Sequence, residues 1–239
     1  MSYEIQYLIF ALIGYLSGSV LYAKVWGYVF TGGDITVGTS DKNPGTFNAF
    51  ANGGIICGSL TVICDLLKGI IPVYLCLHIV DQYVGNEILM ALVLCAPIMG
   101  HIFPIFHKFK GGKGIAVTFG SLLGFAPDFR PALLLAIVFI VFAVIFIIKP
   151  NYYKTMVTFV LSALISPFMG YRLAIVITYI AATLLVCARL LMSDEDKKYF
   201  RVSFIKWQII SIGLPEENDS ADTTESVESD EGKEQKIKQ

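Results

Sequence analysis

Residues 100–114 read Gly-His-Ile-Phe-Pro-Ile-Phe-His-Lys-Phe-Lys-Gly-Gly-Lys-Gly, and the last seven hold three lysines and three glycines. Glycine lets backbone N–H groups approach a ligand and adopt positive φ. Successive N–H groups pointing one way form an anion-binding concavity, and lysine adds point charges suited to phosphate. This stretch joins two strongly apolar segments. A phosphate cradle at a membrane edge points to an enzyme that brings a water-soluble phosphate compound to lipid.

A second polar gap, Asp34-Ile35-Thr36-Val37-Gly38-Thr39-Ser40-Asp41-Lys42-Asn43-Pro44-Gly45-Thr46-Phe47-Asn48, is rich in turn formers and small hydrogen-bonding side chains. It is long for a plain helix connection. Gly18-Ser19 and Lys24 precede it, and Asp65 and Lys68 follow. The last two are three residues apart, so they share a helical face and can pair. Charges in an apolar segment are costly and face the protein interior or water. A structural ion pair and a direct site role both remain open for them.

The elements that position these residues are membrane helices. Of 239 residues, 55% are apolar and 15% charged, with a mean hydropathy of +0.67; a soluble domain carries more charge. Seven apolar segments lie near residues 5–30, 53–80, 87–106, 114–127, 131–149, 155–170 and 172–192. A spanning helix needs about 20 residues, and the fourth and sixth segments are short, so five to seven spans are expected. The first segment is too long for a signal-peptide core and lacks a basic leader, so it reads as a retained helix. The fold class is therefore all-α, a polytopic transmembrane bundle of about seven helices over residues 1–192. Lys42, Lys108, Lys110, Lys113, Lys149 and Lys154 fall on one side and only Arg130 and Arg172 on the other. That asymmetry orients the N-terminus outside and the C-terminus in the cytosol.

Beyond residue 192, the segment 193–214 contains a basic and aromatic run at 197–212 whose composition suits a helix lying in the membrane interface. Residues 215–239 are acidic, rich in Ser and Thr, and expected to be disordered. The five cysteines all fall in apolar segments without a CxxC pair or a Cys/His cluster, so no metal site or disulfide framework is expected.

These residues resemble the bacterial acyl-phosphate:glycerol-3-phosphate acyltransferases, small polytopic enzymes that begin phospholipid synthesis. The family shows Gly-Ser near its first helix, here Gly18-Ser19, and a loop G-S-x-N-P-G-A-T-N, matched by Asn43-Pro44-Gly45 and Asn48 with Gly38 and Ser40 upstream. It shows D-x-x-K-G, here Asp65 to Gly69, and G-H-x-F-x-x-F-x-x-F-K-G-G-K-G, here residues 100–114. Four motifs in the right order cover residues 18 to about 120. Thr46-Phe47 stands where the family loop has Ala-Thr, and Phe50-Ala51 where an arginine usually follows. A third cytosolic motif, H-R-x-N-I-x-R-L-L-x-G-x-E, is replaced near Cys187–Glu195 by a stretch without histidine or asparagine. These departures bear on activity more than on fold.

The resemblance implies acyl transfer from acyl phosphate to the 1-hydroxyl of glycerol 3-phosphate, at the cytosolic side of the cell membrane. His101, Ser40 and Asn43 are then the candidates nearest the chemistry. Lys110, Gly111, Gly112, Lys113, Gly114, Gly38, Gly45 and Asn48 would bind substrate phosphate, and Ser19, Asp65 and Lys68 would support them. Partners are glycerol 3-phosphate, acyl phosphate and membrane lipid; no cofactor, metal or nucleic acid is expected. There is no G-x-S-x-G elbow, and Phe106 stands where a His-x4-Asp pair counted from His101 would need Asp. The leaving phosphate can accept the hydroxyl proton; His101 is the one side-chain base candidate, and a histidine hydrogen-bonded in helix packing is the other reading of it. A non-catalytic or altered-substrate paralogue, and a small membrane transporter, remain alternatives.

Overall fold

The computed structural model describes residues 1–39, 42–193, 200–204 and 207–212. Seven helical segments alternate between two ends of a bundle. The first is two helices, α1 (Tyr3–Gly18) and α2 (Tyr22–Thr31). The Ser2 hydroxyl caps α1, accepting from the Ile5 N–H, and a left-handed Gly32 ends α2. Helix α3 (Thr46–Cys76) runs on through a π turn to Val84, and it is broken at Gly54, whose φ is 80°. Helix α4 (Glu87–Ile102) starts at Asn86, whose side chain accepts from the Leu89 N–H. Helices α5 (Ile115–Leu123), α6 (Arg130–Ile140), α7 (Asn151–Ile165) and α8 (Leu173–Leu191) follow.

Four stretches are long and apolar enough to cross a membrane: Tyr3–Thr31, Thr46–Val84, Glu87–His107 and Leu173–Leu191. Arg130–Ile145 is apolar but shorter. The nine-residue α5 rises only about 14 Å, half of a hydrocarbon core. It relies on its neighbours: a Cβ on Gly120 would sit 2.2 Å from the Leu66 carbonyl of α3, and one on Gly69 2.7 Å from the Ser121 N. Helices α1 and α4 meet equally closely, with Gly18 against Pro97 and Gly100 against Tyr15. Small residues at such contacts let membrane helices pack where lipid supplies no hydrophobic drive. The interior is filled by Tyr7, Met90, Leu94, Phe159 and Tyr179, all essentially inaccessible, while Leu12, Ile55, Ile137 and Leu184 face outward. An apolar outer surface around an apolar core identifies a membrane protein.

The sequence leads one to expect only helices, and here the structure adds a small sheet. Strand β1 (Phe146–Lys149) ends the fifth apolar segment, and β2 (Phe200–Phe204) and β3 (Trp207–Ile212) stand in the segment expected to be an interfacial helix. The order is β1-β2-β3, antiparallel, with Phe146 opposite Phe204 and Lys149 opposite Arg201. The physical reason is a period of two in Phe-Arg-Val-Ser-Phe, carried by aromatic and β-branched residues. Ile148 is buried, and Phe200 meets Tyr153 of α7 edge-on at 5.1 Å. The tail expected to be disordered, residues 215–239, lies outside the described residues.

Candidate active site

The site grows from a break in the first helical segment. Helix α1 ends at Gly18 and α2 begins at Tyr22, which leaves the Val20 carbonyl without a helical partner. Lys68 takes it: Nζ lies 2.7 Å from that oxygen, 2.8 Å from His101 Nδ1 and 2.8 Å from Asp65 Oδ1. The Asp65 contact is set by charge rather than by a well-aligned hydrogen bond. An ammonium has three donors and no acceptor, so these three contacts use it completely. The Tyr22 ring lies 5.6 Å from Nζ. Asp65, Lys68 and His101 are all buried.

This contact fixes the imidazole. Nδ1 must accept from Lys68, so the proton of the neutral ring sits on Nε2. Nε2 therefore presents an N–H rather than a lone pair, and it faces Gly112, where a Cβ would lie 2.2 Å away.

The loop from 103 to 114 folds back onto the end of α4. Tyr15 Oη donates to the Phe103 carbonyl at 2.9 Å, and the Ile105 N–H donates to Ser19 Oγ at 3.3 Å. The Gly112 N–H donates to the His101 carbonyl at 3.1 Å, and Arg189 Nη2 donates to the Gly111 carbonyl at 2.8 Å. A Cβ on Gly111 would come within 1.9 Å of the His101 carbonyl. Glycine is needed here for close approach to α4.

The other polar gap is tied down too. Burial works against the Asp34 charge, yet the Thr36 N–H and hydroxyl and the Lys24 ammonium, 3.0 Å away, outweigh it and hold the carboxyl below its ordinary range. Asn52 Nδ2 donates to the Ile35 carbonyl at 2.7 Å and Asn48 Nδ2 to the Asn43 carbonyl at 2.8 Å. Helix α3 has Gly45 at its N-cap and no side-chain cap, and its first turn, Thr46 to Asn48, borders the same space.

That space is a cavity of about 940 Å³. Asn43, Gly45, Asn48, Asp65, His101, Lys113 and Gly114 line it, joined by Asn151, Lys154 and Thr155 of α7. Apart from Thr46 the rest of its wall is apolar, with Phe50, Val62, Leu66, Phe119, Leu123 and Phe139 prominent in it. Lys68 stands behind Asp65 and His101, and Ser19 stitches α1 to the loop. Lys110, Gly111 and Gly112 lie off the cavity wall, and Gly38 borders a separate hollow with Thr36, Val37, Thr39 and Lys42. Ser40 lies outside the described residues.

Sequence reasoning passed over the Val20 carbonyl, Asn151 and Lys154, and left Arg189 without a place. A signal for Arg189 was present: Arg189-Leu190-Leu191 and Glu195 keep the spacing of R-L-L-x-G-x-E. In that register Thr183 and Val186 occupy the positions of the missing histidine and asparagine.

Comparison with known proteins agrees with this architecture. Two solved structures of an integral membrane glycerol 3-phosphate acyltransferase, PlsY (YgiH), superpose on the chain. The glycerol 3-phosphate form has a TM-score of 0.66 at 24% identity, covering 78% of this chain and 89% of that one. The lysophosphatidic acid form has a TM-score of 0.62 at 24% identity, covering 77% and 87%. A glycerol-3-phosphate acyltransferase of Francisella tularensis subsp. novicida is 41% identical over 116 residues, 48% of this chain and 54% of that protein. One from Francisella philomiragia is 40% identical over the same length and the same shares. The chain thus spans about half the length of the relatives it matches. The model of the family described as glycerol-3-phosphate acyltransferase matches residues 8–193, the helical bundle with both polar loops, and the chain belongs to that family.

Proposed function

We propose that this chain transfers an acyl group from acyl phosphate to the 1-hydroxyl of glycerol 3-phosphate, on the cytosolic face of the cell membrane. The observation that carries the reading is the single cavity in which His101, Lys113, Asn43 and Asn48 share a wall with an apolar channel between α3, α5 and α6. Such a cavity suits one polar phosphate substrate and one amphiphilic donor. Membership of the family and the names of its relatives support the same chemistry.

The reaction needs no covalent nucleophile. The 1-hydroxyl oxygen attacks the acyl carbon, the bond from that carbon to the phosphate oxygen breaks, and the proton passes to the departing phosphate. The products are lysophosphatidate and inorganic phosphate. His101 acts as a donor, because its Nε2 carries the proton: it stabilises negative charge developing on the carbonyl or phosphoryl oxygens. Lys68 and Asp65 position that ring. Lys113 and the start of α3 supply positive potential for phosphate, and the α4–α5 loop, clamped by Arg189, holds Lys113 in place.

Thr183 and Val186 at the positions of the missing histidine and asparagine favour a second reading, an altered-substrate member of the family. One assay separates the two: purified protein, labelled glycerol 3-phosphate, and palmitoyl phosphate or palmitoyl-CoA as donor. The proposal expects lysophosphatidate from the acyl phosphate alone. Orientation is tested by single cysteines at Lys110 and Ser220 in a cysteine-free background, both expected to resist an impermeant thiol reagent in intact cells.

A further inference from the structure

The cavity has on its wall a lysine, Lys154, that no carboxylate among the described residues there answers. Asp65 is the one carboxylate on its described wall, and Lys68 already holds it at 2.8 Å. Two lysines from different elements stand on that wall, Lys113 from the α4–α5 loop and Lys154 from the first turn of α7. Lys154 is half-buried and makes no hydrogen bond or ion pair among the described residues. A half-buried ammonium without a partner is costly unless an anion meets it. Neighbouring Asn151 offers a carboxamide on the same wall.

The chemistry of the two substrates assigns the anion. In an acyl phosphate the phosphoryl oxygen is bonded directly to the acyl carbonyl, so its charge is confined to the mouth of whatever channel takes the chain. Glycerol 3-phosphate carries its phosphate at the far end of a three-carbon backbone from the attacking hydroxyl. The two phosphates must therefore occupy different parts of the cavity. Lys154 stands on the helix that packs against the channel: Phe139 of α6, a channel residue, meets Phe159 of α7 edge-on at 6.1 Å. We infer that Lys154, with Asn151, holds the phosphoryl group of the acyl-phosphate donor and of the phosphate that leaves. This rests on the function proposed above.

The test is steady-state kinetics of the full chain in detergent, with palmitoyl phosphate and glycerol 3-phosphate varied in turn. Lys154→Met is expected to raise the KM for palmitoyl phosphate about tenfold or more, the worth of a charge-assisted hydrogen bond. The KM for glycerol 3-phosphate should stay within about twofold, and Lys154→Arg should restore most of the donor affinity. Lys154→Gln serves if the Met variant is not recovered. An unchanged donor KM, or a rise confined to glycerol 3-phosphate, overturns the assignment. A binding measurement stands apart from turnover: dodecyl phosphate, which has no reactive carbonyl, should raise the Tm of the wild type and of Lys154→Arg but not of Lys154→Met. An equal shift in all three overturns the inference. No turnover of acyl phosphate by the wild type, together with a Lys154-dependent shift, would overturn the proposed reaction and leave the anion site standing.

Discussion

The two ends of the bundle treat buried charge in opposite ways. At the end away from the cavity, Asp81 accepts from Tyr7 Oη at 2.5 Å and is paired with Arg172. Arg172 Nε also donates to Glu87 Oε1 at 2.8 Å, and the other Glu87 oxygen accepts from the Ala174 N–H at 2.8 Å. The guanidinium lies 5.4 Å from the Phe125 ring. This network ties α1, the end of α3, α4 and α8 together, and its charges answer one another within the protein. At the cavity end Lys68 is equally satisfied, yet its partner His101 lies on the cavity wall, in company with Lys113 and Lys154. A closed network stabilises; an open one leaves capacity for a ligand.

The largest expected effect is Lys68→Met. It strands Asp65 in the interior and removes the donor that sets the His101 tautomer. Losing one partner of a buried pair costs about 3–5 kcal/mol, so Tm should fall sharply and transfer should vanish. The counterpart at the other end, Arg172→Leu, leaves Asp81 and Glu87 without their cation, though Tyr7 and the Ala174 N–H still donate to them. Arg172 is partly exposed, so the loss is smaller, about 2 kcal/mol, and kcat per folded molecule should stay within about twofold. Comparable loss of kcat in both variants would erase the distinction between the ends.

His101 can be dissected by shape. Asn at 101 keeps an acceptor where Nδ1 stands and removes the Nε2 donor; Gln does the reverse. His101→Asn should lower kcat by about 100-fold, the scale for one lost oxyanion donor, with His101→Gln retaining more. The opposite order would return His101 to a packing role. Gly112→Ala should lower kcat about tenfold, because the methyl group meets the imidazole rather than the substrate; a change in KM alone would place substrate phosphate against Gly112 instead. The smallest effect is Tyr7→Phe, which removes one hydrogen bond to Asp81, about 1 kcal/mol, and leaves kinetics unchanged.

Much of the fold was legible because membrane helices announce themselves by apolar length, and the shortness of the α5 segment was visible beforehand. The sheet was not, since Lys, Arg and aromatic residues at 197–212 fit an interfacial helix by composition, and only their period of two reveals strands. The Asp65–Lys68 spacing showed a shared face, but not that Lys68 reaches across to His101 and to a carbonyl freed at Val20. Such partners depend on where one helix breaks beside another, which sequence spacing does not carry. The glycines at 111 and 112 signalled close approach; what they approach is the end of α4.

The measurement that bears most directly on the central claim is the initial rate of lysophosphatidate formation from palmitoyl phosphate and labelled glycerol 3-phosphate. It should be made on the wild type, His101→Asn and Arg172→Leu, each normalised to folded protein. The expected result is turnover by the wild type and Arg172→Leu at similar rates, and a rate lower by about 100-fold for His101→Asn. No product from the wild type, or equal rates in wild type and His101→Asn, would contradict the reading of this cavity as an acyl-transfer site organised around His101.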